Sequence, residues 1–106
     1  MDNFIFVKTG KSFVKIDSND LVVIKGLGNY VQLQTTDCQK HTVYKSLKGV
    51  IEKLPDDFMR VHNSYIVNIR HIDKVEDNHV FIAGEKISVS SNYRQCLLER
   101  IEQHQL

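Results

Sequence analysis

Hydrophobic and polar residues alternate along much of this chain with a period of two. In Tyr30-Val31-Gln32-Leu33-Gln34, Val31 and Leu33 share one face and the glutamines take the other. In Lys86-Ile87-Ser88-Val89-Ser90, Ile87 and Val89 point one way. A period of two is that of a strand with one buried and one wet face. Leu21-Val22-Val23-Ile24 is apolar throughout, which predicts a strand covered on both faces. Turn-forming residues recur at short spacing: Thr9-Gly10-Lys11, Asp17-Ser18-Asn19-Asp20, Thr36-Asp37, Pro55-Asp56-Asp57, Asp77-Asn78 and Ala83-Gly84. Between them the pattern predicts strands over 4–8, 12–16, 20–25, 30–35, 40–44, 58–61, 65–68, 71–76, 79–83 and 86–90, an all-β arrangement.

Two segments depart from this alternation. Leu47, Val50, Ile51 and Leu54 fall on one face of a short helix, with Ser46 as N-cap and Pro55 as its end. A second helix is predicted from about Asn92 to His104, capped by Ser90 or Ser91, with Tyr93, Leu97, Ile101 and Leu98 as its stripe. Both helices read as covers over a sheet.

Composition strengthens the β reading. The 106 residues include 12 Val and 10 Ile but a single Ala, Ala83. β-Branched side chains suit a pleated surface, whereas Ala is the best helix former. The length fits one domain, and 42% apolar with 25% charged residues is the balance of an ordinary folded chain. No apolar run approaches the roughly 20 residues of a membrane span, and no signal peptide is visible. Two isolated cysteines, Cys38 and Cys96, form no disulfide framework and read as small buried hydrophobes. A reducing cytoplasm is the expected compartment.

Most chemical constellations are missing. Gly26-Leu27-Gly28 lacks the third glycine and following helix of a dinucleotide loop, and reads as a glycine-eased loop. Asp17, Asn19 and Asp20 lack the fixed Gly and closing Glu of a calcium loop. Histidines 41, 62, 71, 79 and 104 form no close zinc-type pair. No serine stands in a nucleophile elbow. The expectation is a non-enzyme with neither metal nor cofactor.

Charge is informative only locally. The net charge of +1 does not mark a nucleic-acid binder. Between Lys40 and His71, however, there are six Lys or Arg (40, 45, 48, 53, 60, 70) and three acids (52, 56, 57). Within that span, the polar residues of Phe58 to His71 are Arg60, His62, Asn63, Ser64, Asn68, Arg70 and His71, with no carboxylate. Such groups grip phosphates and read base edges. They equally suit turn caps and strand-edge solubilisers, and the residues alone leave both readings open. Neither predicted helix suits a groove: the terminal one exposes Glu99 and Glu102, and the other is about two turns long. Any DNA reading therefore falls to loops, at Gly28-Asn29-Tyr30, His62-Asn63-Ser64 and Ser90-Ser91-Asn92.

At this point the chain resembles a LytTR-type DNA-binding domain, the output domain of bacterial two-component response regulators. Phe58-Met59-Arg60-Val61-His62-Asn63-Ser64-Tyr65-Ile66-Val67-Asn68 resembles the family's F-x-R-x-H-x-S-y-i-V-N signature. Asp20 to Ile24 with Gly28 to Val31, Ser46-Leu47-Lys48 with Leu54-Pro55, and Ile87 to Ser90 before Tyr93-Arg94 support it in order. The resemblance covers nearly the whole chain. It implies a mainly β fold of elongated antiparallel sheets with one short and one C-terminal helix. It also implies strand-connecting loops in successive major grooves of bent double-stranded DNA, at paired repeats bound by two copies.

Carried over by position, base contacts fall at Asn29, Asn63 and Ser91, and phosphate contacts at Arg60, His62, Ser64 and Lys45. The third loop departs from the family pattern: Ser91 and Asn92 stand where a basic residue often follows, with Arg94 nearby. Weaker base preference is expected there. Residues 1–106 read as one such domain, the C-terminal part of a longer regulator whose receiver domain lies outside this chain. The competing reading is a β-rich protein-interaction module that uses exposed strand edges and binds no specific DNA.

Overall fold

The computed structural model describes residues 3–106. The strands are β1 (Phe4–Thr9), β2 (Ser12–Asp17), β3 (Leu21–Leu27), β4 (Tyr30–Thr35), β5 (Lys40–Val43), β6 (Phe58–His62), β7 (Tyr65–Asn68), β8 (Ile72–Glu76), β9 (His79–Ile82) and β10 (Glu85–Ser88). Helix α1 spans Leu47–Ile51 and α2 spans Ser91–Gln103. One-turn 3-10 helices at Ser18–Asp20 and Ile69–His71 lead into β3 and β8.

The central sheet has the order β5-β4-β3-β7-β6, flanked by the β1–β2 hairpin and the sheet β10-β9-β8. All strand pairs are antiparallel. The domain measures 45 × 27 × 24 Å, elongated as the family resemblance implies.

The central sheet is buried on both faces because two cores form against it. The first joins Val7 and Ile16 of the hairpin, Leu47 and Val50 of α1, and Leu21, Ile24, Val31, Leu33, Phe58 and Ile66 of the sheet. The second joins Val22, Val23, Val61 and Val67 to Val80, Ile82, Ile87, Val89 and Leu97 of α2. β3 serves both. A register shift between Leu21 and Val23, where β3 meets β4, interrupts the alternation. Leu21 and Ile24 thus enter one core, and Val22 and Val23 the other.

Several expectations change. Helix α1 ends at Ile51, not Leu54, because Pro55 disfavours helical backbone at the residue before it. Its stripe survives: Leu47 and Val50 are buried, and Ile51 and Leu54 pack against the first core. Helix α2 starts at Ser91, and Leu98 leaves its stripe for solvent at 48% exposure. The last predicted strand stops at Ser88, where the backbone departs: Val89 N–H bonds Asn78 and Ser90 N–H bonds Val61. Cys38 and Cys96 are exposed, the reverse of the buried positions expected.

Gly26-Leu27-Gly28 is not a loop either. Gly26 and Leu27 end β3, and a Cβ at Gly26 would stand 3.1 Å from Leu47 Cδ1, so glycine lets α1 pack close. Only Gly28, at φ 64°, belongs to the turn. Leu27 pairs with Tyr30 there, giving a two-residue connection of Gly28 and Asn29.

Candidate nucleic-acid interface

The β6–β7 hairpin carries the signature residues, and its two ends differ. At the turn end His62 pairs with Tyr65, and Asn63 and Ser64 make the connection. A register shift between Arg60 and His62 inserts Val61, which is fully buried in the second core. Such bulges re-aim the side chains beside them. The Ser64 backbone N–H donates to His62 Nδ1 at 3.0 Å. That bond requires an unprotonated Nδ1, so in neutral His62 the proton sits on Nε2, which makes that nitrogen a donor. The ring meets Tyr65 edge-on at 5.7 Å, and Lys25 Nζ stands 5.9 Å from the Tyr65 ring.

The turn is fastened at several points. Gly26 N–H donates to the Ser64 carbonyl at 2.8 Å, tying it to β3. Arg60 Nη2 donates to the Asn63 carbonyl at 2.9 Å, and Nε reaches the His62 carbonyl at 3.4 Å. The Asn63 side chain is exposed.

Neighbouring elements meet this turn at a shallow cleft. Gly28 and Tyr30 of the β3–β4 turn line one side, Ser46 and Lys48 at the start of α1 another, and Arg60, Asn63 and Ser64 a third. Asn29 is exposed at the apex between Gly28 and Tyr30. Lys45 is not a cleft residue. It lines a neighbouring groove with Tyr44 and Val50, and Lys48 takes the cleft position. Ser46 accepts from Gly49 N–H at 3.1 Å, which occupies its hydroxyl as the helix cap.

Ser91 is not in a loop but opens α2. Ser90 holds the N-cap position in an extended conformation without a side-chain cap bond; its carbonyl accepts from Tyr93 N–H at 2.9 Å, and its side chain caps neither Ser91 N–H nor Asn92 N–H. This helix start is joined to the hairpin by the Ser90 N–H bond to Val61 O, at 2.9 Å, and by Tyr93, whose ring lies 5.5 Å from Arg60 Cζ. Tyr93 was legible only as a stripe residue of the helix; nothing in the sequence pairs it with Arg60.

The open end of the hairpin is internally satisfied. Asn68 is 1% exposed; its amide donates to Leu21 O at 2.9 Å and Ser18 O at 3.4 Å and accepts from Arg70 N–H at 3.1 Å. Arg70 Nε bonds Asp57 at 2.7 Å, and that carboxylate raises the Arg70 pKa. Arg100 approaches the same carboxylate at 3.8 Å. His71 Nε2 lies 2.6 Å from Asn19 O. Asn68, Arg70 and His71 thus serve the fold.

Exposed donors gathered on turns beside a small helix, with cations around them, define a nucleic-acid-binding module rather than a ligand pocket. Residues 11–102 match the family described as the LytTr DNA-binding domain. The chain belongs to that family. Over 98 residues it is 33% identical to the sensory transduction protein LytT of Bacillus subtilis (strain 168), covering 86% of this chain and 40% of that protein. The LytT protein of Bacillus anthracis is 30% identical over 94 residues, covering 82% and 38%. The chain therefore spans about two-fifths of the length of these curated relatives. A solved LytTr DNA-binding domain from Bacillus cereus shares the fold with a TM-score of 0.79 at 21% identity, over 93% of this chain and 96% of that one. Among the described residues no helix is long and apolar enough to cross a membrane.

Proposed function

We propose that this domain binds duplex DNA sequence-specifically through its turns and regulates transcription as the output domain of a longer response regulator. The observation that carries the reading is the cleft itself. It brings the β3–β4 turn, the start of α1 and the signature turn together, although they lie far apart in sequence. Asn63 is the principal base reader, since an amide pairs bidentately with adenine. Asn29 reads from the adjacent turn. Ser91 reads from the start of α2, where a hydroxyl discriminates bases weakly and uncapped N–H groups attract a phosphate. His62 Nε2, Ser64 and Lys45 hold phosphates, and Arg60 adds charge beside them. A receiver domain elsewhere in the full protein governs access, and two copies occupy paired repeats.

The test is selection of binding sites from a random duplex pool at about physiological salt, repeated with Asn63→Ala. A short motif is expected for the wild type, often repeated about one helical turn apart. Contact with about four to six phosphates gives a slope of log K against log salt near −4 to −5. A pool that stays random, or an affinity insensitive to salt, overturns the proposal.

A further inference from the structure

Arg60 stands in the signature as a basic residue facing DNA, yet its guanidinium is engaged within the protein. Two of its nitrogens face the carbonyls of the reading turn, Nη2 on Asn63 at 2.9 Å and Nε on His62 at 3.4 Å. Its Cζ lies over the Tyr93 ring at 5.5 Å. The side chain is half-buried, and the strand beneath it is fixed to the start of α2 by the Ser90–Val61 bond. A planar fork that donates to two carbonyls while its charge lies within cation–π range of a ring is poorly replaced by an ammonium group.

We infer that Arg60 and Tyr93 form a clamp that positions the Asn63 turn and locks it to α2, so that Arg60 acts as a positioning residue for base reading rather than as a phosphate grip. Asn63 offers its amide to a base only while its own backbone is held, and Arg60 tethers its carbonyl at 2.9 Å. An amide misplaced by a fraction of an ångström loses bidentate geometry, which is where discrimination resides. Tyr93 stabilises the guanidinium by cation–π attraction. It also carries the turn's position to Ser91, two residues earlier in the same helix. The second half of this inference rests on the DNA-reading proposal; the first half does not.

The closing experiment therefore has two arms, on Arg60→Lys, Arg60→Ala, Tyr93→Phe and Tyr93→Leu, each checked for its folded spectrum. In the free domain, 15N relaxation at residues 62–64 reports the turn. Arg60→Lys and Tyr93→Leu are expected to lower the order parameters from about 0.85 towards about 0.6, while Tyr93→Phe keeps them. A turn as rigid in Arg60→Lys as in the wild type overturns the clamp, whatever the domain does with DNA.

On DNA, Arg60→Lys and Tyr93→Leu are expected to cut the ratio of specific to non-specific affinity by about tenfold or more, at nearly unchanged salt slope. A phosphate grip predicts the opposite. Arg60→Lys would then keep specificity, and Arg60→Ala would weaken all sequences alike and flatten the slope by about 0.9. That result overturns the positioning role even if the turn proves mobile.

Discussion

The two ends of the β6–β7 hairpin are built from the same kinds of residue and use them in opposite ways. At the open end Asn68 is buried and bonded on both sides of its amide, and Arg70 is paired with Asp57. At the turn end Asn63 is exposed, and His62 is half-buried with Nδ1 engaged by the Ser64 N–H. What separates them is what lies alongside. The open end is covered by the 3-10 turn at Ser18–Asp20 and by Asp57, which supply carbonyls and a carboxylate. The turn end borders a cleft lined by glycines, a lysine and a helix start, with Asn63 and Ser64 at its edge. Residue type alone does not separate the two ends; hydrogen-bonding capacity left unused within the protein does.

This contrast can be broken by substitution. The largest effect is expected from Asn68→Ala, which removes the amide partner of two carbonyls and an N–H and opens a small void. A loss of about 2–3 kcal/mol in urea unfolding is expected, with the denaturant slope unchanged. An Asn68→Ala domain as stable as the wild type would erase the distinction between the ends. Asn63→Ala should do the reverse. Its stability should stay within about 0.5 kcal/mol, while discrimination at one base pair of the selected site falls by about 1–3 kcal/mol. Competition binding against single-base variants of that site measures it.

Smaller effects sharpen the picture. His62→Ala should weaken binding to every sequence at an unchanged salt slope, because an imidazole that accepts at Nδ1 offers a phosphate a hydrogen bond but no charge. Arg70→Gln does remove a charge yet should also leave that slope unchanged, because Arg70 is engaged with Asp57 at the far end of the hairpin. Its effect on the unfolding midpoint should be the smallest of the set and should fade as salt is added. A slope that falls in Arg70→Gln would extend the DNA footprint to the open end.

Much of the fold is legible in the sequence because strand alternation and turn chemistry are local. Val31 and Leu33 face inward as their spacing predicts, and Asp77-Asn78 forms the two-residue turn its composition suggests, with both residues at positive φ. The apolar run at 21–24 is covered on both faces as expected, though its bulge is not visible in the residue pattern. What escaped depends on long-range placement. Asn68 meets Leu21 across 47 residues, and Arg100 of the C-terminal helix reaches Asp57 in the middle of the chain. Lys45 and Lys48 are equal as sequence, and only the packing of α1 on Gly26 decides which enters the cleft. Ser91 reads as loop because Ser90 and Ser91 are equally good N-caps in the sequence, and the structure places the cap at Ser90.

The bulge in β3 also fixes how the domain comes apart. Leu21 and Ile24 belong to one core, and Val22 and Val23 to the other. A partial melting that dissolves either core must pull neighbouring residues of β3 out of register with the surviving one. Intermediates with half the molecule intact should thereby be disfavoured, and a single cooperative unfolding transition is expected. The slowest-exchanging amides should then cluster on β3 and exchange only through global opening. Docked on a duplex, such a body would move as one rigid piece, with no internal joint at its middle sheet to absorb a strained fit.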